Sequence, residues 1–407
     1  MSSLSITPFF RFCKVKVTDM FLHPNHKSVT LTITSDRRFL PICIHCLKPV
    51  ATIHSYRTRS IRDLPVVRIM VDLKYQYRKL RCPSCGVKIE THDFVNPGMR
   101  VTRRLAQYIA DLCRVMTVKE VANHLDLDWK TVKAIDKQAL KHQFETLDWH
   151  GIRILAIDEI SIRRRHRYLT VVMDYLTGRV LWMGPGRSQE TLDQFFRAIP
   201  THVRQGIEAV AMDMYRAYIN SVSDWCPQAK IVFDLFHIIK EYNNVIDRIR
   251  NQEYRKATAE GKAVLKGFKF LLWKNTDNLN LTEHIHLTAV LELNKNLSTA
   301  YVLKDHLRLI WQSRDRLEVW QRLNQWCELA DASGIRLIKA FTRRLRRHAY
   351  GIINHADYPI DTGRLEGSNN KMKVIKRKAY GFRDLEYYIL KVKQAFPGRQ
   401  NLYPKWR

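Results

Sequence analysis

Ile154-Leu-Ala-Ile-Asp158-Glu159 decides how this chain folds: an uninterrupted apolar run closed by two acids. Such a run reads as a buried strand, and a side-chain period of two sends Asp158 and Glu159 to opposite faces. The pattern returns downstream. Ile207-Glu-Ala-Val-Ala-Met-Asp213 and Lys230-Ile-Val-Phe-Asp234 are apolar strands that also finish in an acid, the latter running into a helix that begins near Phe236-His237. Between the first and second, Tyr168-Leu-Thr-Val-Val-Met-Asp174 and Arg179-Val-Leu-Trp-Met183 read as hairpin strands joined by Tyr175-Leu-Thr-Gly178. Ser188 then caps an amphipathic helix through about Ile199.

Strand, hairpin strand, hairpin strand, helix, strand, helix, strand, helix is the order of an α/β fold, a mixed-sheet core of the ribonuclease H type. In such a sheet the first and fourth strands are parallel neighbours, so Asp158 and Asp213 emerge together at their carboxyl ends, where open α/β sheets place their sites. A strand-end acid is ordinarily a turn former, and Asp174 is expected to serve its turn. Three in succession ask for more. Two facing carboxylates and a third can hold a pair of Mg²⁺ or Mn²⁺ ions roughly 3.5–4 Å apart. Glu159, pointing away from Asp158, is left out of this ligand set.

A third carboxylate is offered by Asp361-Thr-Gly-Arg-Leu-Glu-Gly-Ser-Asn-Asn-Lys-Met-Lys-Val-Ile-Lys-Arg377, a short turn opening a basic helix whose only acid after Asp361 is Glu366. At about 100° per residue, Glu366, Asn370, Lys373 and Arg377 share one face. A lone acid among amides and cations suits a metal ligand working beside a phosphate. The same residues also describe an ordinary solvated basic helix, and the stretch by itself leaves both readings open.

Lys and Arg number 69 against 39 Asp and Glu, a net charge of +30, which points to a polyanionic partner and first of all to nucleic acid. No apolar run reaches the roughly 18 residues of a membrane span. The start, Met1-Ser-Ser-Leu-Ser-Ile-Thr-Pro-Phe-Phe-Arg-Phe-Cys13, lacks the charged head and apolar stretch of a secretion signal, so a cytoplasmic protein is expected. Of eight cysteines, four fall in Cys-x-x-Cys pairs, while Cys13, Cys113, Cys226 and Cys327 stand alone, a usage that fits a reducing compartment and a metal site.

Those pairs, Cys43-Ile-His-Cys46 and Cys82-Pro-Ser-Cys85, flank a segment of two-residue alternation: Val67, Ile69, Val71, Leu73, Tyr75 and Tyr77 on one side, Arg68, Asp72, Lys74 and Arg78 on the other. This spacing predicts a zinc ribbon with Cys43, Cys46, Cys82 and Cys85 as ligands, an iron–sulfur cluster or two unrelated Cys pairs being the competing readings; His45 is expected to be a bystander. Twelve Lys or Arg against four acids lie between residues 51 and 104, and Arg78 is assigned to DNA phosphate. After Asn96-Pro-Gly98 the spacing turns helical, and Thr117 to Lys133 reads as helix, tight turn, helix. The second helix is expected to show Trp129, Lys130, Lys133 and Lys137 to a major groove.

In order along the chain, the ribbon, the helix-turn-helix, Leu155-Ala-Ile-Asp-Glu159, Val210-Ala-Met-Asp-Met214, Phe233-Asp-Leu-Phe-His237 and Gly363-Arg-Leu-Glu-Gly-Ser-Asn369 with Lys371-Met-Lys373 resemble the bacterial DDE-type insertion-sequence transposases of the ISL-three family. The resemblance implies that Asp158, Asp213 and Glu366 are the DDE triad with two Mg or Mn ions, that Asp234 and His237 form the accompanying Asp-x-x-His element, and that Lys373 is the basic residue beyond the glutamate. It further implies one structural zinc, DNA contacts from Lys373 and Arg377, and partners that are the element ends and target DNA, bound by a homo-oligomer. The helical stretch from about Arg250 to His355, with Trp273, Trp311, Trp320 and Trp326 mostly core, looks like the family's insertion. Expected domains are a zinc ribbon over 1–98, helix-turn-helix over 99–150, core over 151–250, helical insertion over 251–355 and the rest of the core over 356–407. A DNA-binding regulator with a silent core, and a nuclease of the same fold without strand transfer, remain the other readings.

Overall fold

The computed structural model describes residue 10 and residues 12–163, 167–266, 268–360 and 363–398. Asp361, the side chain of Glu366 and the basic cluster Pro404-Lys-Trp-Arg407 lie outside the described residues. The chain forms two compact units, Met1–Glu145 and Thr146–Arg407. Among the described residues no helix is long and apolar enough to cross a membrane.

In the first unit, β1 (Val15–Leu22), β2 (Ser28–Ser35), β3 (Ile53–Val66), β4 (Ile69–Cys82) and β5 (Gly86–Ile89) form one sheet in the order β1-β2-β4-β3, with β5 paired to β4. The alternation in β4 holds from Val71 through Tyr75, whose side chains are fully buried with Leu31 and Ile33. Val67 does not join them, because it sits in the hairpin turn with φ +58° and is 93% exposed. Further along, the buried parity switches to Arg78, Leu80 and Cys82. The reason is a change of neighbour: pairing with β2 ends at Gln76 and β5 takes that edge from Lys79, so the strand passes from the sheet core into the cysteine cluster.

Three helices follow, α1 (Arg103–Val115), α2 (Val118–Leu125) and α3 (Trp129–Gln143). Thr117 and Glu120 make a reciprocal capping box on α2, and Asp126 ends it with φ +50°. The fully buried Asp63 of β3 accepts from Thr102 Oγ1 at 2.6 Å and Arg104 Nε at 2.8 Å. This joint ties α1 to the sheet.

The second unit is built on β6 (Ile154–Arg163), β7 (Arg167–Asp174), β8 (Arg179–Pro185), β9 (Ala209–Met212) and β10 (Lys230–Phe233), in the order β10-β9-β6-β7-β8. The β6–β9 and β9–β10 pairs are parallel and the hairpin pairs antiparallel, the mixed topology expected. Strand β6 does not stop at its acids. The parallel half of its ladder ends at Ala156, while pairing with β7 carries it on to Arg163. Asp174 does serve its turn, accepting from Leu176 N at 3.1 Å and from the Thr177 hydroxyl.

Each face of this sheet is covered. Leu155 and Ile157 pack with α4 (Gln189–Ala198) and α6 (Arg216–Trp225), beyond the short α5 (Thr201–Gln205). That core continues through α7 (Leu235–Lys256) into the insertion: α8 (Ala259–Leu265), α9 (Lys269–Trp273), α10 (Leu281–Leu293), α11 (Lys295–Leu309), α12 (Arg316–Ala332), α13 (Arg336–Arg347) and α14 (Ala349–Ile353). Trp311 and Trp326 are core as expected, whereas Trp320 is half exposed. Gly351 lies so close to the Phe233 ring that a Cβ would meet it at 2.4 Å, which fixes α14 on β10. On the opposite face Ala156 and Ile160 lie under α15 (Gly363–Lys378) and α16 (Leu385–Ala395), through Met372, Tyr388 and Val392.

Candidate active site and metal centre

Parallel register sets the site. Ala156 of β6 stands opposite Ala211 of β9, so two residues further Asp158 and Asp213 leave the paired strands at the same level. Each turns back on itself in the same way: Asp158 Oδ1 accepts from Glu159 N at 2.7 Å, and Asp213 Oδ1 from Met214 N at 2.6 Å. The third acidic strand adds Asp234, N-cap of α7, which accepts from Phe236 N at 2.7 Å and holds His237 Nδ1 at 2.9 Å. That bond aims His237 Nε2 at Asp158 Oδ1, 3.9 Å away.

Burial pushes the Asp158 carboxyl up, against the His237 charge and the bonds from Glu159 and Asn369. For His237 burial works the other way but loses to the Asp234 bond and the charges of Asp158, Asp213 and Asp234, so its imidazole is raised to about 9. Buried Asp158 and Asp234 and half-buried Asp213, partly offset by one imidazolium, make a site short of positive charge. Its hard oxygen donors fit Mg²⁺ or Mn²⁺ rather than a soft metal.

Two contributors, Asn369 and Arg344, escaped the sequence reading. Asn369 of α15 donates to Asp158 Oδ2 at 2.6 Å, one residue before the asparagine expected to face the site. Asn370, Lys373 and Arg377 form the exposed side of α15, because the helix is keyed to the sheet through buried Met372 and through Lys376, which donates to Ile162 O. Glu366 falls one turn before Asn369 in α15. From the insertion, Arg344 pairs with Glu241 of α7 at 2.9 Å and donates to Met214 O at 3.2 Å, bracing the residue after Asp213. Glu159 is half buried on the far face, its carboxyl raised by burial and by Asp158 and Asp213, with Arg187 opposing; Arg187 lies 4.6 Å over the Tyr168 ring.

In the first unit the ligand atoms of Cys43, Cys46, Cys82 and Cys85 lie within 4.8 Å of one another, and Cys46 and Cys82 Sγ are 3.6 Å apart. Zinc–thiolate bonds of about 2.3 Å in a tetrahedron require sulfurs about 3.8 Å apart, so the four fit zinc. Both knuckles need a left-handed residue after the second cysteine: Gly86 at φ +71° and Leu47 at φ +59°. Backbone N–H groups of Cys46 and then His45 lower the Cys43 thiol to about 7, favouring the thiolate a metal binds. His45 Nδ1 reaches Cys85 Sγ at 3.5 Å, a partner of a ligand rather than a ligand.

Of the residues expected to meet DNA, Trp129 and Lys130 open α3 and are exposed, with Asp128 capping Lys130 N at 2.8 Å. Lys133 and Lys137 are half-buried on its flank, and the solvent face runs through Ala134, Gln138 and Lys141. Arg78 must be reassigned. It is 6% exposed and its guanidinium lies 2.7 Å from the buried Glu90 carboxylate, so it holds the fold and does not meet phosphate.

A ribonuclease H-like sheet with carboxylates at its parallel ends, on a chain that opens with a thiol ribbon and three capped helices, defines the class of DNA-processing enzymes with dedicated recognition modules. A family model described as a transposase matches residues 155–392, that of a helix-turn-helix domain of transposase family ISL3 matches 90–140, and that of a zinc finger of IS204/IS1001/IS1096/IS1165 transposases matches 40–85. The chain is 39% identical over 361 residues to the transposase for insertion sequence element IS1001 of Bordetella parapertussis, covering 88% of this chain and 89% of that one. It is 26% identical over 374 residues to the transposase for IS1557 of Mycobacterium tuberculosis, covering 84% of each. The chain belongs to the ISL3 family of transposases.

Proposed function

We propose that this transposase binds the terminal inverted repeats of its insertion sequence, cuts there and joins the ends to target DNA, with Asp158, Asp213 and Glu366 as ligands for two Mg²⁺ or Mn²⁺ ions. The observation that carries this reading is the β6–β9 register, which sets Asp158 level with Asp213 beneath the helix that bears Glu366. Bound there, the ions would activate the attacking water or hydroxyl and stabilise the leaving oxygen. Asn369 fixes the free oxygen of Asp158, so that its carboxylate presents one geometry. His237, oriented through Nδ1 by Asp234, holds Nε2–H beside Asp158, where it would meet the scissile phosphate bound at that carboxylate. Lys373 and Arg377 on the exposed side of α15 hold the strand entering the site. The protein assembles on DNA as a homo-oligomer, and the first unit, with its zinc, recognises the ends through Trp129 and Lys130.

The test uses labelled element ends with Mg²⁺ or Mn²⁺. Wild type is expected to cut and join, and Asp158→Ala, Asp213→Ala and Glu366→Ala to shift the DNA without product. Full activity in Glu366→Ala would sink the ligand assignment, cutting without joining would favour a nuclease, and wild-type binding with no cutting would favour a regulator.

A further inference from the structure

The insertion carries a cationic surface that neither the carboxylate site nor the recognition helices use. Helix α13 holds Arg336, Lys339, Arg343, Arg344, Arg346 and Arg347 and no acid, over a buried face of Ile338, Phe341, Thr342 and Leu345. At about 100° per residue, Arg336, Lys339, Arg343 and Arg347 fall within about 80° of one another on the opposite face. All four are exposed. Arg344 and Arg346 stand on the two flanks and are engaged, with Glu241 at 2.9 Å and Asp331 at 2.5 Å. Among the described residues the four on the outer stripe make no ion pair.

Such a stripe repels itself. Lys339 with Arg343 and Arg343 with Arg347 are like charges one turn apart, and Arg336 sits in the first turn, where the helix dipole disfavours a cation. The neighbouring α12 shows the ordinary arrangement, mixing Arg316 and Arg322 with Glu318, Glu328 and Asp331. Position supplies the second argument. Arg344, on the flank of the same helix, donates to Met214 O, the residue after Asp213. α13 therefore passes the carboxyl end of β9 with its cations turned outward. From Arg336 to Arg347 is about 16 Å at 1.5 Å per residue, the axial length of about five base pairs.

We propose that α13 is a phosphate-binding helix, with Arg336, Lys339, Arg343 and Arg347 holding the backbone of the duplex that is cut at the adjacent carboxylates. Long single-faced cations with no amide or aromatic side chain among them grip phosphates without reading bases. The inference rests on the proposed site only for which duplex is held. Binding is measured without Mg²⁺ or Mn²⁺, so its failure and that of the ligand assignment are separate results.

The experiment measures duplex binding by the full chain against salt concentration, for wild type and for a variant with Arg336, Lys339, Arg343 and Arg347 all replaced by Gln. Each phosphate that is no longer neutralised takes about 0.9 off the slope of log K against log salt, so the slope is expected to fall by about 3–4. The weakening should be equal for element-end and unrelated duplexes, and the unfolding temperature equal to or slightly above wild type, since the like charges no longer repel. A control replacing four exposed cations elsewhere in the unit, Lys230, Arg255, Lys266 and Lys295, should leave the slope near wild type. If the fourfold variant fails to fold, the Arg336/Lys339 and Arg343/Arg347 pairs replaced separately should each lower it by about 2. A stripe variant indistinguishable from the control, or one that loses affinity only for element ends, overturns the proposal.

Discussion

Replacing Arg78 by Met keeps an apolar stem in place and removes only the guanidinium, so it asks what that charge does. Glu90 lies 4% exposed at the centre of the contact. Its carboxylate accepts from Arg78 N and Nε, both at 2.7 Å, from Ser35 Oγ at 2.8 Å and Tyr75 OH at 3.0 Å, and pairs with His92 at 3.3 Å. Burial raises the Glu90 carboxyl, but the bond and charge of His92 and the bonds from Arg78 prevail and hold it at about 2 instead of the usual 4.5. A carboxyl depressed in the folded state stabilises fully above its unfolded value, and that stability is lost as pH falls from about 4.5 toward 2. At about 1.4 kcal/mol per pH unit this amounts to about 3 kcal/mol at neutral pH, in line with about 3–5 kcal/mol for stripping one partner from a buried pair. The Arg78 guanidinium supplies only a share of it, behind His92 and the Arg78 backbone N–H that Met retains, so Arg78→Met should cost about 1–2 kcal/mol, lowering the unfolding temperature by a few degrees for a unit of this size. Replacing both, Arg78→Met with Glu90→Leu, removes the ion pair but strips the acceptor from Ser35, Tyr75, His92 and the Arg78 backbone N–H, so it should be no more stable than Arg78→Met alone. The assay is thermal unfolding of the zinc-loaded protein beside a salt titration of duplex binding. An unfolding temperature equal to wild type together with a slope lower by about 0.9 would mean Arg78 meets phosphate after all.

Cys82→Ser should lower zinc content and loosen the ribbon, because a structural zinc supplies much of a small module's folding energy; metal analysis at full occupancy would contradict this. Trp129→Ala and Lys130→Ala should cut the preference for element ends over random duplex, read by competition binding, and equal losses on both would show that α3 does not read bases. Asn369→Ala should slow cleavage while leaving end binding intact, since it frees one oxygen of Asp158 without touching the recognition helices; a wild-type rate constant would remove Asn369 from the site. His237→Ala should reduce cutting and joining about 10²-fold or more if Nε2 meets the phosphate, and undiminished rates would reduce it to a capped helix-start histidine.

What could be read from sequence followed the range over which each feature is determined. Asp158, Asp213 and Asp234 were legible because short apolar strands and the acids after them are local, and the parallel pairing of β6 with β9 follows from element order. The cysteine pairs were legible for the same reason. Arg78 was misread because its environment is made by residues after the second knuckle: Glu90, beyond β5, accepts from both Tyr75 and Arg78, so the parity that makes Tyr75 core does not leave Arg78 exposed. The apolar residues at even positions, Leu80 and Cys82, carried that signal within β4 itself. The phase of α15 was missed by one residue for a related reason. Its charged stripe was visible, but the buried Met372 fixes its rotation, and this brings Asn369 instead of Asn370 to Asp158. Arg344 was beyond any local reading, since its contact with Met214 spans 130 residues and exists only because α13 packs on α7 and α14 on β10. The insertion is therefore not a detachable appendage. One helix braces the residue behind Asp213 from its flank and shows four exposed cations on its outer face, so moving α13 would disturb the carboxylate and the surface toward DNA together.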